Sequence, residues 1–357
     1  MIGSRIKQRR LANGLSLRAL AAAVGSISAQ AISNYEAGKD VPSSAVLIRL
    51  AEALGVKLDY FFRTISVELG EPAYRKHCKL SKSKMKALES RAQDEVERYL
   101  ETESLFSPDI MPALEYPREF CSEVQNPEDV ESRAESLRKN WAIGMDPIDN
   151  VTELLEDHGV KVIYMQEDRH FDGCAYPNGS MPVIVINSNK PWARLRFDLA
   201  HELGHLLLRL PGGWDDKQVD SAAHRFAGAF LVPKQAAIRE LGEHRATIGM
   251  LELLELKRKY GMSMQAWARR AKDLGIISEN AFRSICREFA ARRWRTKEPL
   301  DDDDYLKEQS ARQVRLVARA YANHIISDSR AAELMGKSLC EFTRIIEVDE
   351  SDQAFAS

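Results

Sequence analysis

The chain has 357 residues, 44% hydrophobic and 29% charged, with a formal net charge of −2. That length predicts more than one domain, and the composition is globular, which excludes a fibrous or disordered chain. Near-neutrality excludes a global pull toward nucleic acid or membrane, and no run approaches the ~20 apolar residues of a spanning helix, so any basic patch is local.

The opening MIGSRIKQRR has no apolar run behind it, unlike a secretory signal. Five cysteines (Cys78, Cys121, Cys174, Cys286, Cys340) never fall in a CxxC pair. That argues against a disulfide framework and for a reducing, cytoplasmic setting.

Residues 1–62 read as short helices with tight connections. Ile6, Leu11, Leu17, Leu20, Ala21, Val24, Ile32, Leu47, Leu50, Ala51 and Leu54 recur at helical spacing. Gly14, Gly25, Gly38 and Gly55 stand where helices stop. The pattern predicts a helix over Leu17–Val24, a turn at Gly25, and a second helix capped by Ser28. On that helix Ala31, Ile32 and Tyr35 face inward, while Ala29, Gln30, Ser33 and Asn34 face outward. Short amides and hydroxyls suit base edges, because Gln or Asn can pair bidentately with adenine. Ser28 and Ala29 open the helix where such contacts are made. Arg18 and Lys39 are expected at phosphates. The segment carries eight basic residues against four acidic ones, a local positive footprint. The run LSLRALAAAVGSISAQAISNYEAGKDVPSSAVLIRLAEALGV resembles the lambda-repressor, or Xre, helix-turn-helix over residues 4–62. The resemblance implies a five-helix domain that reads double-stranded operator DNA as a homodimer.

Residues 67–130 change character. KLSKSKMKALESRAQDEVERYLETE is charged and helix-prone, and SPDIMPALEYPREFCSEVQNP holds four prolines, so this stretch reads as a connecting arm. Two amphipathic helices follow, DVESRAESLRKNWAIG and DPIDNVTELLEDHGV, the second opened by Asp146-Pro147 and closed by Gly159. KVIYM and PVIVIN read as strands. FDGCAYPNGSM reads as a strand with a turn at Pro177-Asn178-Gly179.

FDLAHELGHLLLRL then sets His201 and His205 four apart, on one helix face. Both imidazoles can reach one ion, and with a third protein ligand they leave one position of a tetrahedral zinc open. Glu202 beside them has the position of a general base for hydrolysis. Leu199, Ala200, Leu203, Leu206, Leu207 and Leu208 make the helix apolar, and a buried helix does not carry His-Glu-His without compensation. Gly204 costs ~1 kcal/mol of helix stability against Ala, tolerable where something must approach the backbone. Downstream candidates for the third ligand are Asp215, Asp216, Asp220 and His224. Asp220 and His224 sit i, i+4 on the next predicted helix, Val219 to Leu231. Asp220 is the preferred ligand, and His224 is either a ligand or its neighbour.

RLRFDLAHELGHLLL followed by DSAAHRFAGAFLVP resembles the ImmA/IrrE-type metallopeptidases, over roughly residues 130–300. The resemblance implies a minimal zincin-like domain, a Zn²⁺ cofactor and cleavage of a partner repressor in a stress, phage or mobile-element response. In that family the second helix reads Glu-x-x-Ala-Asn-x-Phe-Ala, and its glutamate is the third ligand. Asp220 inherits that position one methylene shorter, and His224 replaces the asparagine, so His224 could supply or share the bond. Asp198 stands where the family has threonine.

The expected architecture is mainly α with a small β-sheet (α+β). It comprises a helix-turn-helix domain (1–66), a helical and Pro-rich connecting arm (67–130), a zincin-like metallopeptidase domain (131–235) and a C-terminal helical region (236–357). The expected function is a DNA-binding regulator with a zinc endopeptidase that cuts a protein substrate, either a repressor or the chain itself. PVIVIN is the strand expected to align an extended peptide by edge pairing. The alternative is a non-catalytic transcription factor, or the antitoxin of a toxin–antitoxin pair, whose metal domain senses a metal or ligand.

Overall fold

The computed structural model describes residues 2–73, 80–107, 122–177, 181–302, 308 and 310–354. Helices α1 (Ile2–Ala12), α2 (Leu17–Val24), α3 (Ala29–Glu36) and α4 (Ser44–Leu54) come first, followed by a 3-10 turn, Leu58–Phe62, which stands as the fifth helix. Local signals set these boundaries. Ser16, Ser28 and Ser43 cap three of the helices by accepting from Ala19, Ala31 and Val46 N–H groups. Gly25 and Gly55 end two of them at φ of 74° and 64°. Ile6, Leu20, Ile32, Leu50 and Phe61 form the buried centre. A Cβ at Gly3 would lie 1.9 Å from the Tyr35 carbonyl oxygen. Only glycine lets α1 approach the end of α3 this closely.

Helix α5 (Lys82–Glu103) corrects the connecting-arm reading. Its stripe of Leu88, Ala92, Val96 and Tyr99 is buried, and it packs against α1. Its acidic groups are partners rather than a solvated face. Glu97 takes the buried Arg5 guanidinium. Asp94 accepts from Tyr60 Oη at 2.8 Å and pairs with Arg9 at 3.2 Å. The proline-rich stretch over 108–121 lies outside the described residues.

The chain continues through β1 (Ser122–Glu123), α6 (Pro127–Asn140), α7 (Val151–Asp157), β2 (Lys161–Met165), β3 (Gly173–Tyr176), β4 (Val183–Asn187) and α8 (Trp192–Leu207). After these come β5 (Leu208–Arg209), α9 (Asp216–Leu231), α10 (Lys234–Leu241), α11 (Met250–Tyr260), α12 (Met264–Asp273) and α13 (Glu279–Ala291). Helix α7 starts later than Asp146-Pro147, because the Asn150 side chain caps it by accepting from Glu153 N–H. Residues 178–180, and with them most of the expected turn at Pro177, lie outside the described residues.

β4 pairs parallel with β2 and antiparallel with β3, giving the order β2-β4-β3. The strand from PVIVIN is therefore the centre of the sheet, with both sides occupied, and cannot offer an edge to a peptide. β3 is the edge strand that packs on α8.

The last helices are α14 (Arg312–Ala322), α15 (Asp328–Leu334) and α16 (Leu339–Ala354). Val317, Ala331, Ala332, Leu334 and Phe342 bury together, and α14 and α15 pack on α5. The molecule thus forms two units, one of residues 1–69, 79–112 and 312–357, the other of 70–78 and 113–311. The expected C-terminal region divides between them: α11 to α13 join the core around α8 and α9, while α14 to α16 belong with the N-terminal helices. Among the described residues, no helix is long and apolar enough to cross a membrane.

Candidate metal centre and nucleic-acid interface

Helix α8 is buried along nearly its whole length, so the polar groups it carries need partners. His201 and Glu202 are 9% and 6% exposed, and His205 is half-buried. The two Nε2 atoms lie 3.0 Å apart. Asp220 Oδ1, from α9, lies 3.5 Å from His201 Nε2. The nitrogen and oxygen atoms of His201, His205 and Asp220 all fall within 4.8 Å of one another. A tetrahedral ion with bonds of ~2.0–2.1 Å holds its ligand atoms ~3.4 Å apart, so this donor set fits zinc in chemistry and spacing.

Asp220 reaches the histidines because α9 approaches α8 closely. A Cβ at Gly204 would meet Phe226 Cδ1 at 3.2 Å and Ala223 Cα at 3.3 Å. The missing methyl lets the shorter carboxylate arrive. Asp215 and Asp216 stay away from the histidines. Asp215 caps α9 in a reciprocal box with Gln218, and Asp216 is exposed in the first turn. His224 is exposed, and its Nδ1 lies 3.0 Å from the Asp220 carbonyl oxygen and 3.4 Å from Asp220 Oδ1. His224 Nδ1 is thus turned to Asp220, and its ring packs edge-on against His201 with 4.5 Å between centroids. Partial desolvation by surrounding protein opposes the charged His224 imidazole, but the bond to Asp220 and its charge outweigh it, and the pKa rises.

Glu202 leans on the start of β3, where a Cβ at Gly173 would come within 3.1 Å of Glu202 Cγ. Glycine at this position leaves room for the carboxylate. Asp198, one turn earlier on α8, pairs with Arg194 at 2.9 Å. Arg194 also reaches Asp172 at 3.6 Å. Burial pushes the Asp198 carboxyl up to about 6, Arg194 pulls it down, and Asp172 adds to the rise. Asp198 is buried with its cation, Arg194, four residues away on the same helix.

The far side of α8 is anchored by a residue that carried no readable motif. Arg196 is fully buried and pairs with Glu308. Glu308 also accepts from the Val151 and Thr152 amides at 3.1 and 2.8 Å, closing the start of α7. Beside α9 lies a cavity of about 660 Å³, lined by Phe197, Trp214, Asp220, His224, Arg225 and Arg269 among others.

In the N-terminal unit, Gln30 is exposed and its Nε2 donates to Asn34 Oδ1 at 3.1 Å. This aligns two amides on the outer face of α3. Asn34 is half-buried, as are Ala29, Ser33 and Ala31, while Ser28, Arg18 and Lys39 are exposed. The positive footprint is narrower than the sequence suggests. Arg5 and Arg10 are buried in ion pairs with Glu97 and Glu36, and Arg9 pairs with Asp94. Lys7, Arg18, Lys39, Arg49 and Lys57 remain exposed.

Residues 6–61 match the helix-turn-helix family, and residues 155–272 match the IrrE N-terminal-like domain family of peptidases. A stretch of 73 residues is 40% identical to an uncharacterized transcriptional regulator in the ATPase CF(0) region of Rhodospirillum rubrum. The match covers 20% of this chain and 65% of that protein.

Proposed function

We propose that this chain, whose residues 6–61 match the helix-turn-helix family and 155–272 the IrrE N-terminal-like domain family, is a transcriptional regulator that binds operator DNA and carries a zinc-dependent endopeptidase. The observation that carries this reading is the convergence of His201, His205 and Asp220 with Glu202 beside them on one helix. A purely structural zinc site has no use for a carboxylate at that place. Zinc held by the two imidazoles and Asp220 would polarise a peptide carbonyl and lower the pKa of water toward ~7. Glu202 takes a proton from the attacking water and returns it to the leaving amine. His224 fixes the orientation of Asp220, as hydrogen-bond neighbours of ligands commonly do.

The protein substrate on this reading is a partner repressor or the chain itself, and the regulator works in the cytoplasm. On the DNA side, Gln30 and Asn34 read base edges from α3 with Ser28, Ala29 and Ser33 around them. Arg18 and Lys39 hold phosphates. Homodimerisation would place two such helices on paired half-sites.

The cavity beside Asp220 favours one other reading, a sensor in which a small ligand replaces the peptide, as in a regulator or antitoxin without proteolysis. Its volume lies in the usual range for small-molecule sites. The test is to incubate zinc-loaded wild type and Glu202→Gln with operator DNA and candidate repressors, and to follow cleavage. Cleavage by wild type alone, with equal zinc content in both, supports the peptidase. If both bind zinc and DNA and neither cuts, the sensor stands.

A further inference from the structure

β3 is an edge strand, and its outer side points somewhere definite. In a strand, the N–H and C=O of one residue point to the same side, and consecutive residues alternate. Asn187 N–H donates to the Asp172 carbonyl at 3.0 Å, so Asp172, Cys174 and Tyr176 turn toward β4. Gly173 and Ala175 then turn outward. Gly173 is also the residue that abuts Glu202. Ala175 lies two residues further along, about 7 Å at the strand rise.

That outer edge has an occupant from the same chain. Ala73 N–H donates to the Ala175 carbonyl at 2.8 Å, the kind of bond a fourth strand would make. Pro72 is buried just before it. Proline fixes its own φ near −65°, and the backbone bends at Glu71 and at Ala73 on either side of it. Residues 70–73 belong to the same structural unit as the metal centre, although Leu69, their chain neighbour, ends a segment of the other.

Peptides added to a sheet edge take their affinity from main-chain bonds of this type. We infer that residues 70–73 occupy, in cis, the β3 edge on which an extended peptide would lie beside Glu202, so that the chain's own segment competes with a peptide for that edge. The inference rests on the metallopeptidase reading for its functional meaning, and on the Ala73–Ala175 bond for its geometry. Releasing the segment uncovers the edge. Its tether runs directly into the helix-turn-helix unit, so events at operator DNA have a covalent route to the peptidase.

The test uses the zinc-loaded full chain and a leucine-rich tripeptide hydroxamate, which joins an extended backbone to a zinc-chelating end. Ala73→Pro removes the donor N–H, and Ala73→Ser keeps it. One such bond is worth about two- to tenfold in affinity. Calorimetry should show Ala73→Pro binding the hydroxamate tighter by that factor, with Ala73→Ser equal to wild type. Hydrogen exchange in wild type should show the Ala73 amide protected alone and exposed once the hydroxamate is added. Equal affinity in all three proteins, with Ala73 exchange unmoved by the hydroxamate, overturns the inference. Should the hydroxamate bind none of them although zinc is stoichiometric, the metallopeptidase reading fails instead. The unmodified tripeptide then decides the strap alone: captured by Ala73→Pro and not by wild type, it supports the inference, and captured by neither, it overturns it.

Discussion

Glu308→Ala tests whether the helix that carries His201 and His205 is held from behind. Arg196 is 0% exposed on α8, and its guanidinium donates to Glu308 and to the carbonyls of Ile148 and Asp149. Glu308 also takes the Val151 and Thr152 amides. The substitution strips a buried cation of its counter-charge and orphans two amides at once. Breaking one partner of a buried pair costs about 3–5 kcal/mol, and an orphaned buried amide about 1–3 kcal/mol. These costs overlap once water enters, so the expected loss is about 4 kcal/mol, at the level of a lost buried ion pair. Glu308→Gln keeps an acceptor and should lose about half as much.

The assay is clean because all five tryptophans lie between residues 141 and 294, inside the unit that contains His201, His205 and Asp220. Tryptophan fluorescence in urea therefore follows that unit, while far-ultraviolet circular dichroism follows both. With m of about 2–3 kcal/mol/M, the fluorescence midpoint should fall by roughly 1.3–2 M. A double change, Arg196→Met with Glu308→Leu, should recover most of the loss, since apolar replacement of a whole buried pair is often neutral. A loss under about 1 kcal/mol for Glu308→Ala would refute the reasoning.

Removing Asp220 should abolish stoichiometric zinc, whereas His224→Ala should keep zinc but weaken it about 10–100-fold; competition with a chelator separates the two. Asp198 binds its proton more tightly folded than unfolded, because its pKa is raised to about 6. Its contribution is therefore present at low pH and lost as pH rises from about 4 through 6. Relative to Asp198→Asn, wild type should lose stability over that window, read from fluorescence midpoints; parallel pH profiles would sink the assignment. Gln30→Ala should cost about 1–3 kcal/mol in operator binding and relax selectivity at one base pair, measured by titration against operator variants at fixed salt.

What could be read from the sequence is what local chemistry specifies. Ser16, Ser28 and Ser43 announce helix starts within three residues of the bond they accept, and the helices of the DNA-binding head follow. His201 and His205 are neighbours on any helix, so their meeting needs no tertiary information. Asp220 was reachable by the same spacing logic, with Gly204 as the hint that α9 would come close. The misreadings share a cause. Asp94 and Glu97 read only as charged positions of a helix-prone connecting arm until Arg5, Arg9 and Tyr60 are placed beside them from some 30 to 90 residues away. Glu308 is equally mute without Arg196, 112 positions upstream. PVIVIN looks like any strand, because order within a sheet depends on pairing that no single strand encodes.

The unit that contains the helix-turn-helix match is assembled from three stretches of sequence, separated along the chain by the residues of the other unit. Consequently a single backbone scission between residues 113 and 311 would not sever the operator reader from the rest as a clean N-terminal fragment. Each half of the nicked molecule would still contribute helices to it, α1 to α5 from one side and α14 to α16 from the other, gripping each other without a covalent link. Self-cleavage there would loosen the regulator from DNA only as fast as those helices part, giving a gradual release in place of an abrupt one.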